Sequence, residues 1–190
     1  MNSSRLKFLF IVLIFVIPFI YSYILINKKN VEKELPTSNY GQFVTPIVSI
    51  NNISYIDSFD NKINSNSLNG KWTLIHYIDK YCDAPCLNNI YLLRQINIAL
   101  GKDMNRVRRI LLIDISNNNT ASIQKKYPHL LIIKSKLNKL HDVIKGIKSD
   151  TTNIFIVDPM GNIVLKYNQD FNGKKFLKDL KKLLKLSRIG

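Results

Sequence analysis

The chain has 190 residues, with 28 Lys and Arg against 13 Asp and Glu, a formal net charge of +15. Apart from an apolar stretch near its start, this is enough chain for one domain with a sizeable core. Lys, Asn and Ile are abundant together, as AT-biased coding produces, and the basic residues are scattered without an arginine cluster, so the charge predicts a solvated basic face beside anionic lipid and argues against a nucleic-acid partner.

From Phe8 to Ile26 the chain reads FLFIVLIFVIPFIYSYILI without a charge, long enough to cross a bilayer. Pro18 is tolerated in a membrane helix. No small-x-small cleavage signal follows, and the run is long for a signal-peptide core. The expectation is an uncleaved transmembrane anchor over residues 1–27. Arg5 and Lys7 precede it and Lys28, Lys29 and Lys33 follow it, so flanking charge does not orient it. Residues 28–42 are polar, with Pro36, and read as a tether; residues 43–190 are the globular domain.

The domain opens on FVTPIVSINNISYIDSFDNKINSNSLNG, short β-prone pieces broken by Asn, Asp and Ser, expected as a hairpin or an irregular entry segment. KWTLIHYI then reads as a buried strand. APCLNNIYLLRQINIAL reads as a helix with Leu87, Ile90, Leu92 or Leu93, Ile96 and Leu100 on one broad face and Gly101 as its stop. RVRRILLIDIS is a second strand, NTASIQKKY a short helix, HLLIIK a third strand and KLNKLHDVIKGI a helix. NIFIVDPMGNIVLKY is a hairpin turning at DPMGN, and GKKFLKDLKKLLKL is a closing amphipathic helix. The order β-α-β-α-β-α-β-β-α predicts α/β layering, and the final hairpin predicts a mixed sheet.

Cys82 and Cys86, the only cysteines, fall where the first core strand passes into the first core helix, beside Pro85. A helix N-terminus there favours a thiolate. Three readings of the pair are open. It is two buried apolar cysteines; or a redox couple, with Cys82 the exposed attacking thiol and Cys86 the resolving one, whose closure opens the first helical turn slightly; or a pair of soft donors for Cu(I).

The strand-cysteine-helix junction is the thioredoxin arrangement. NGKWTLIHYIDKYCDAPC, followed much later by NIFIVDPMGNIVLKY, resembles the Sco/SenC family over about Val44 to Leu186. The segments LGKDMNRVRRILLIDI and FLKDLKKLLKLSRIG resemble in particular the short Sco-like transmembrane proteins of proteobacterial oxidase gene clusters. The resemblance implies a three-layer thioredoxin-like fold on an N-terminal transmembrane helix, and an assembly factor for cytochrome c oxidase. Cys82 and Cys86 would exchange disulfides with a copper-site subunit or deliver Cu(I) to it. Other oxidase assembly factors and the lipid bilayer are further implied partners. Disulfide chemistry belongs outside the cytosol, which places the domain in the periplasm of a bacterial inner-membrane protein, the source that the resemblance of the closing segment favours over a mitochondrial inner-membrane protein with its domain in the intermembrane space. The alternatives are a general membrane-tethered thiol-disulfide oxidoreductase of cytochrome c maturation, and a non-catalytic docking module with a structural disulfide.

Copper-binding members carry a third ligand, a histidine, about eight residues before the distal turn. Counting back from Asp158 gives Asp150, a hard oxygen donor poorly suited to Cu(I). Thr152 stands where thioredoxins place a cis-proline. His76, six residues before Cys82, is a candidate proton relay to Cys86, a replacement copper ligand or a core histidine. His141, beside Asp142, reads as a surface or partly buried helix residue, and His129 carries no special signal. Asp79 and Asp83 oppose thiolate formation; Lys80 and the helix dipole favour it. Trp72 and Tyr77 read as core.

Overall fold

The computed structural model describes residues 3–29, 38–57, 61–79, 81–113, 120–134, 139–149, 151–187 and 189. The chain divides into two compact units, Met1–Ser38 and Asn39–Gly190.

Among the described residues the first unit holds one helix, α1 (Ser3–Lys29), with Pro18 inside it. The charge-free run Phe8 to Ile26 lies within α1. Its side chains are described from Phe10 to Ile24, a stretch shorter than the ~20 residues a bilayer core takes. Among the described residues no helix is long and apolar enough to cross a membrane, so the structure gives the helix and not the span.

The second unit is built on a mixed sheet. Its elements are β1 (Gln42–Ser49), β2 (Ser54–Asp57), β3 (Lys62–Asn64), β4 (Trp72–Ile78), α2 (Ala84–Ile98), β5 (Val107–Ile113), α3 (Thr120–Lys126), β6 (Leu131–Lys134), α4 (Lys139–Ile147), β7 (Thr152–Val157), β8 (Asn162–Asn168) and α5 (Gly173–Leu186). The strand order is β1-β8-β7-β4-β5-β6-β2-β3. β4, β5 and β6 run parallel, whereas β7 is antiparallel to both β4 and β8.

β4 is central because nearly every residue in it can be buried: Trp72 through Tyr77 are all buried. The pleat sends alternate side chains to opposite layers. Ile75 and Tyr77 join Ile110, Leu112, Phe155 and the Leu140 and Ile144 of α4. Trp72 and Leu74 join Leu93 and Ile96 of α2 and Phe176, Leu180 and Leu184 of α5. Each fully buried Leu or Ile contributes about 1.5–3 kcal/mol of transfer free energy. The three layers and the mixed sheet expected from the sequence are both present.

The entry segment, expected as a hairpin or an irregular stretch, contains a hairpin and one further strand. β2 and β3 form the hairpin, and β2 then adds to the outer edge of β6. β1 goes to the opposite edge and pairs with β8. The short pieces thus cover both edges of the sheet, which would otherwise present unpaired backbone groups.

A buried carboxylate latches the start of this unit. Asp179 on α5 accepts, through Oδ2, the N–H of Tyr40 at 2.7 Å, the N–H of Gly41 at 2.9 Å and the hydroxyl of Tyr167 at 2.8 Å. Burial first, and then Asp179, push the Tyr167 hydroxyl far above its ordinary value. Position 41 has room only for glycine, since a Cβ there would overlap the Tyr167 ring.

Candidate functional site

The junction between β4 and α2 is set by Asp83. Its backbone is extended and its Oδ1 accepts the N–H of Cys86 at 3.0 Å, which makes it the N-cap. Pro85 in the first turn fits, because its missing N–H would have had no partner there. Cys82 therefore lies before the helix and Cys86 inside its first turn. The two are joined in a disulfide with Cα atoms 5.2 Å apart, well within the range a disulfide allows. The expected opening of a helical turn is not needed, because the cap comes between the cysteines.

Both sulfur-bearing residues are buried: Cys82 is 4% exposed and Cys86 1%. They pack with Ile90, Leu111, Ile113, Ile123 and Tyr127. The expectation of an exposed Cys82 does not hold for the disulfide form, since Cys82 folds into the apolar layer that α3 shares with α2. Leu87 also departs from expectation. With the helix starting at Ala84, the inward face carries Cys86, Asn89, Ile90, Leu93, Ile96 and Asn97, and Leu87 is exposed.

His76 is 1% exposed. It pairs in register with Leu111 and Ile154, both on the layer that holds α2. Neither ring nitrogen has a hydrogen-bond partner among the described residues. Burial lowers its pKa to about 4, against a smaller upward pull from Asp83. It is a neutral imidazole at ordinary pH.

The opposite face of β4 carries a polar network. Tyr77 donates its hydroxyl to Asp79 and lies 3.2 Å from Nδ1 of His141. Lys148 reaches Oδ2 of Asp79 at 2.6 Å. Burial alone would raise the pKa of Asp79, but the hydrogen bonds from Lys148 and Tyr77 outweigh it and hold the carboxyl below its ordinary value. The charge of Asp79 is thus compensated by Lys148, while that of Asp83 stays at the helix start. Trp72 and Tyr77 are core, as expected, though the Tyr77 hydroxyl ties the cysteine loop to α4. Lys80 and Asp150 lie outside the described residues. Thr152 opens β7, buried, with its hydroxyl 2.6 Å from that of Ser149.

A cavity of about 630 Å³ opens beside Pro85, between Asn88 and Asn89 of α2 and the segment Asn168–Asp170, with Thr151 on its wall. Asn89 donates to the Gln169 carbonyl at 2.9 Å. The lining carries the amides of Asn88, Asn89, Asn168 and Gln169, the Thr151 hydroxyl and the Asp170 carboxylate, and amides are suited to polypeptide backbone.

A family model, the transmembrane-like, thioredoxin-like C-terminal domain, matches residues 72–187, more than half of the chain. The chain belongs to that family. Within this thioredoxin-like family domain lie both cysteines, His76 and the distal hairpin. The fold is also similar to solved structures. Apo Sco1 protein from Thermus thermophilus superposes with a TM-score of 0.61 at 15% identity, over 79% of this chain and 99% of that one. Arabidopsis thaliana ScoI with copper bound gives 0.57 at 14%, over 73% and 100%. The thioredoxin domain of a thiol-disulfide oxidoreductase from Bacteroides vulgatus gives 0.51 at 20%, over 77% and 99%. At these identities the likeness is one of fold. The comparison with curated proteins gives no match.

Among the described residues the donors do not complete a three-ligand copper site. No group of three or more His, Cys, Asp or Glu gathers among the described residues. The thiols are tied up in the disulfide, and His141 is engaged by Tyr77.

Proposed function

We propose that this protein is a membrane-anchored, Sco-like assembly factor for cytochrome c oxidase that works by thiol-disulfide exchange at Cys82 and Cys86. The observation that carries the reading is the disulfide between a residue just before the α2 cap and a residue in its first turn. A bridge that closes so short a loop removes little chain entropy, about 2 kcal/mol against about 4.7 for a 100-residue loop, and so is a weak structural staple. Placed at a helix start, the same pair is suited to redox work.

In the proposed reaction, the reduced chain attacks a client disulfide through the Cys82 thiolate. A mixed disulfide forms and one client sulfur leaves as a thiolate. Cys86 then attacks Cys82, which releases the client as a dithiol and closes the Cys82–Cys86 bond. Two electrons and two protons pass to the client. A dithiol reductant of the same compartment must reset the pair. The amide-lined cavity beside Pro85 is where the client backbone would lie. The charge-free run Phe8 to Ile26 supports an anchor in the bacterial inner membrane, with the domain in the periplasm, where disulfides persist. Cu(I) is a cargo for the reduced pair in this reading only if a third donor is supplied from elsewhere.

The test mixes the reduced full chain with the oxidised copper-site subunit of cytochrome c oxidase and follows both thiol states by alkylation and mass. The proposal expects client thiols to appear as the Cys82–Cys86 bond forms, and the double variant Cys82→Ser, Cys86→Ser to be inert. A client that stays oxidised would contradict it.

A further inference from the structure

The end of the sheet remote from the disulfide brings together what the sequence scatters. Lys71 precedes β4, Arg108 and Arg109 lie near the start of β5, His129 precedes β6, and Arg94 comes from α2. All five line one cavity of about 390 Å³. The absence of an arginine cluster read from the sequence is therefore corrected by the fold. Arg94 stands more than a dozen positions before its partners, and a helix-strand turn folds it back against them.

No carboxylate lines this cavity among the described residues. Arg109 is only 8% exposed, and its Nη1 is buried without a hydrogen-bond partner. Burial, and then the neighbouring charge of Arg94, lower its pKa. Arg108, next to Arg109 in the strand, sends its side chain to the opposite face of the sheet, where it gives one N–H to the Ser67 carbonyl at 3.2 Å. Asn97, also on the wall, is already spent on the Met104 and Val107 carbonyls. Asp103, the nearby acid in sequence, is bound to Arg106 at 3.0 Å. The C-terminal end of α2 offers a partial negative charge of about half an electron, too little to balance the two guanidinium groups of Arg94 and Arg109.

A buried guanidinium left without an acceptor is costly, and adjacent like charges add to the cost. Both are relieved by one anion with several oxygens. A carboxylate carries a single charge, whereas a phosphoryl group carries up to two and presents three oxygens to the planar forks of arginine. The concave shape takes a small group and not a duplex. We propose that the cavity between α2 and the start of β5 is a binding site for a phosphoryl anion, held by Arg94 and Arg109. The site is independent of the thiol chemistry.

Titration calorimetry of the full chain in a non-ionic detergent, with inorganic pyrophosphate at constant ionic strength, tests the site. Saturable binding is expected, weakened about tenfold or more by Arg94→Gln, which removes an exposed side chain, as expected for a charge-assisted contact worth more than 1.4 kcal/mol. Arg109→Met should weaken it similarly. Lys181→Gln on α5 removes the same charge elsewhere and should leave affinity unchanged. A second arm embeds the chain in nanodiscs of phosphatidylglycerol or phosphatidylcholine. If phosphatidylglycerol suppresses pyrophosphate binding and phosphatidylcholine does not, the phosphoryl group comes from a lipid headgroup; if neither does, it comes from a soluble phosphate. Absence of binding in detergent, or binding equal in wild type, Arg94→Gln and Lys181→Gln, would overturn the proposal.

Discussion

Asp83 accepts the N–H of Cys86 at 3.0 Å, so the residue that starts the helix also takes the backbone donor nearest the second sulfur. One carboxylate thus performs two opposed tasks. It stabilises α2, as an N-cap is worth about 1 kcal/mol. It also places a negative charge beside the pair, which disfavours a thiolate.

Replacing Asp83 with Ser separates the two. The cap is kept and the charge is lost, so the reduced pair should ionise at lower pH. Alkylation of reduced Asp83→Ser by iodoacetamide at neutral pH should run several-fold faster than in wild type, with stability within about 0.5 kcal/mol. An unchanged rate would show that Asp83 exerts no field on the sulfurs.

His76 makes stability depend on pH. Its folded pKa, about 4, lies below the ordinary 6.5, so the unfolded chain takes up the proton first as pH falls. Stability present above pH 6.5 is therefore lost progressively towards about pH 4, and by then the loss is about 3 kcal/mol. Urea unfolding of the full chain across this range should show that slope, and His76→Leu should remove it. A variant with the same acid slope as wild type would place the titrating group elsewhere.

The Asp179 latch predicts a different kind of loss. Asp179→Ala strands two backbone N–H groups and the Tyr167 hydroxyl, at a cost of about 2–4 kcal/mol. Tyr167→Phe removes one donor and should cost about 1 kcal/mol. Chemical denaturation measures both. A near-neutral Asp179→Ala would mean that the segment before β1 contributes nothing to the fold.

The core order was legible because each strand of the parallel set is a continuous apolar run ended by polar residues, and α5 shows one apolar stripe. The edges were not. Gln42 pairs with Lys166, a partner more than a hundred positions away that no local pattern announces. The four-residue spacing of Cys82 and Cys86 suggests a pair one helical turn apart, whose closure would open that turn. Asp83 followed by Ala84 and Pro85 is a capping pattern that places the cap between the two cysteines. The arginine cavity had no local signal, since Arg94 and Arg109 meet only once α2 packs on β5.

The reduction potential of the Cys82–Cys86 couple tests the central claim most directly. The full chain would be equilibrated in a series of dithiothreitol or glutathione buffers, quenched by alkylation, and its bonded fraction read by mass. A working redox pair should titrate above about −300 mV, in the span of exchangeable disulfides, whereas a potential below about −300 mV would mark a structural bond and contradict the account.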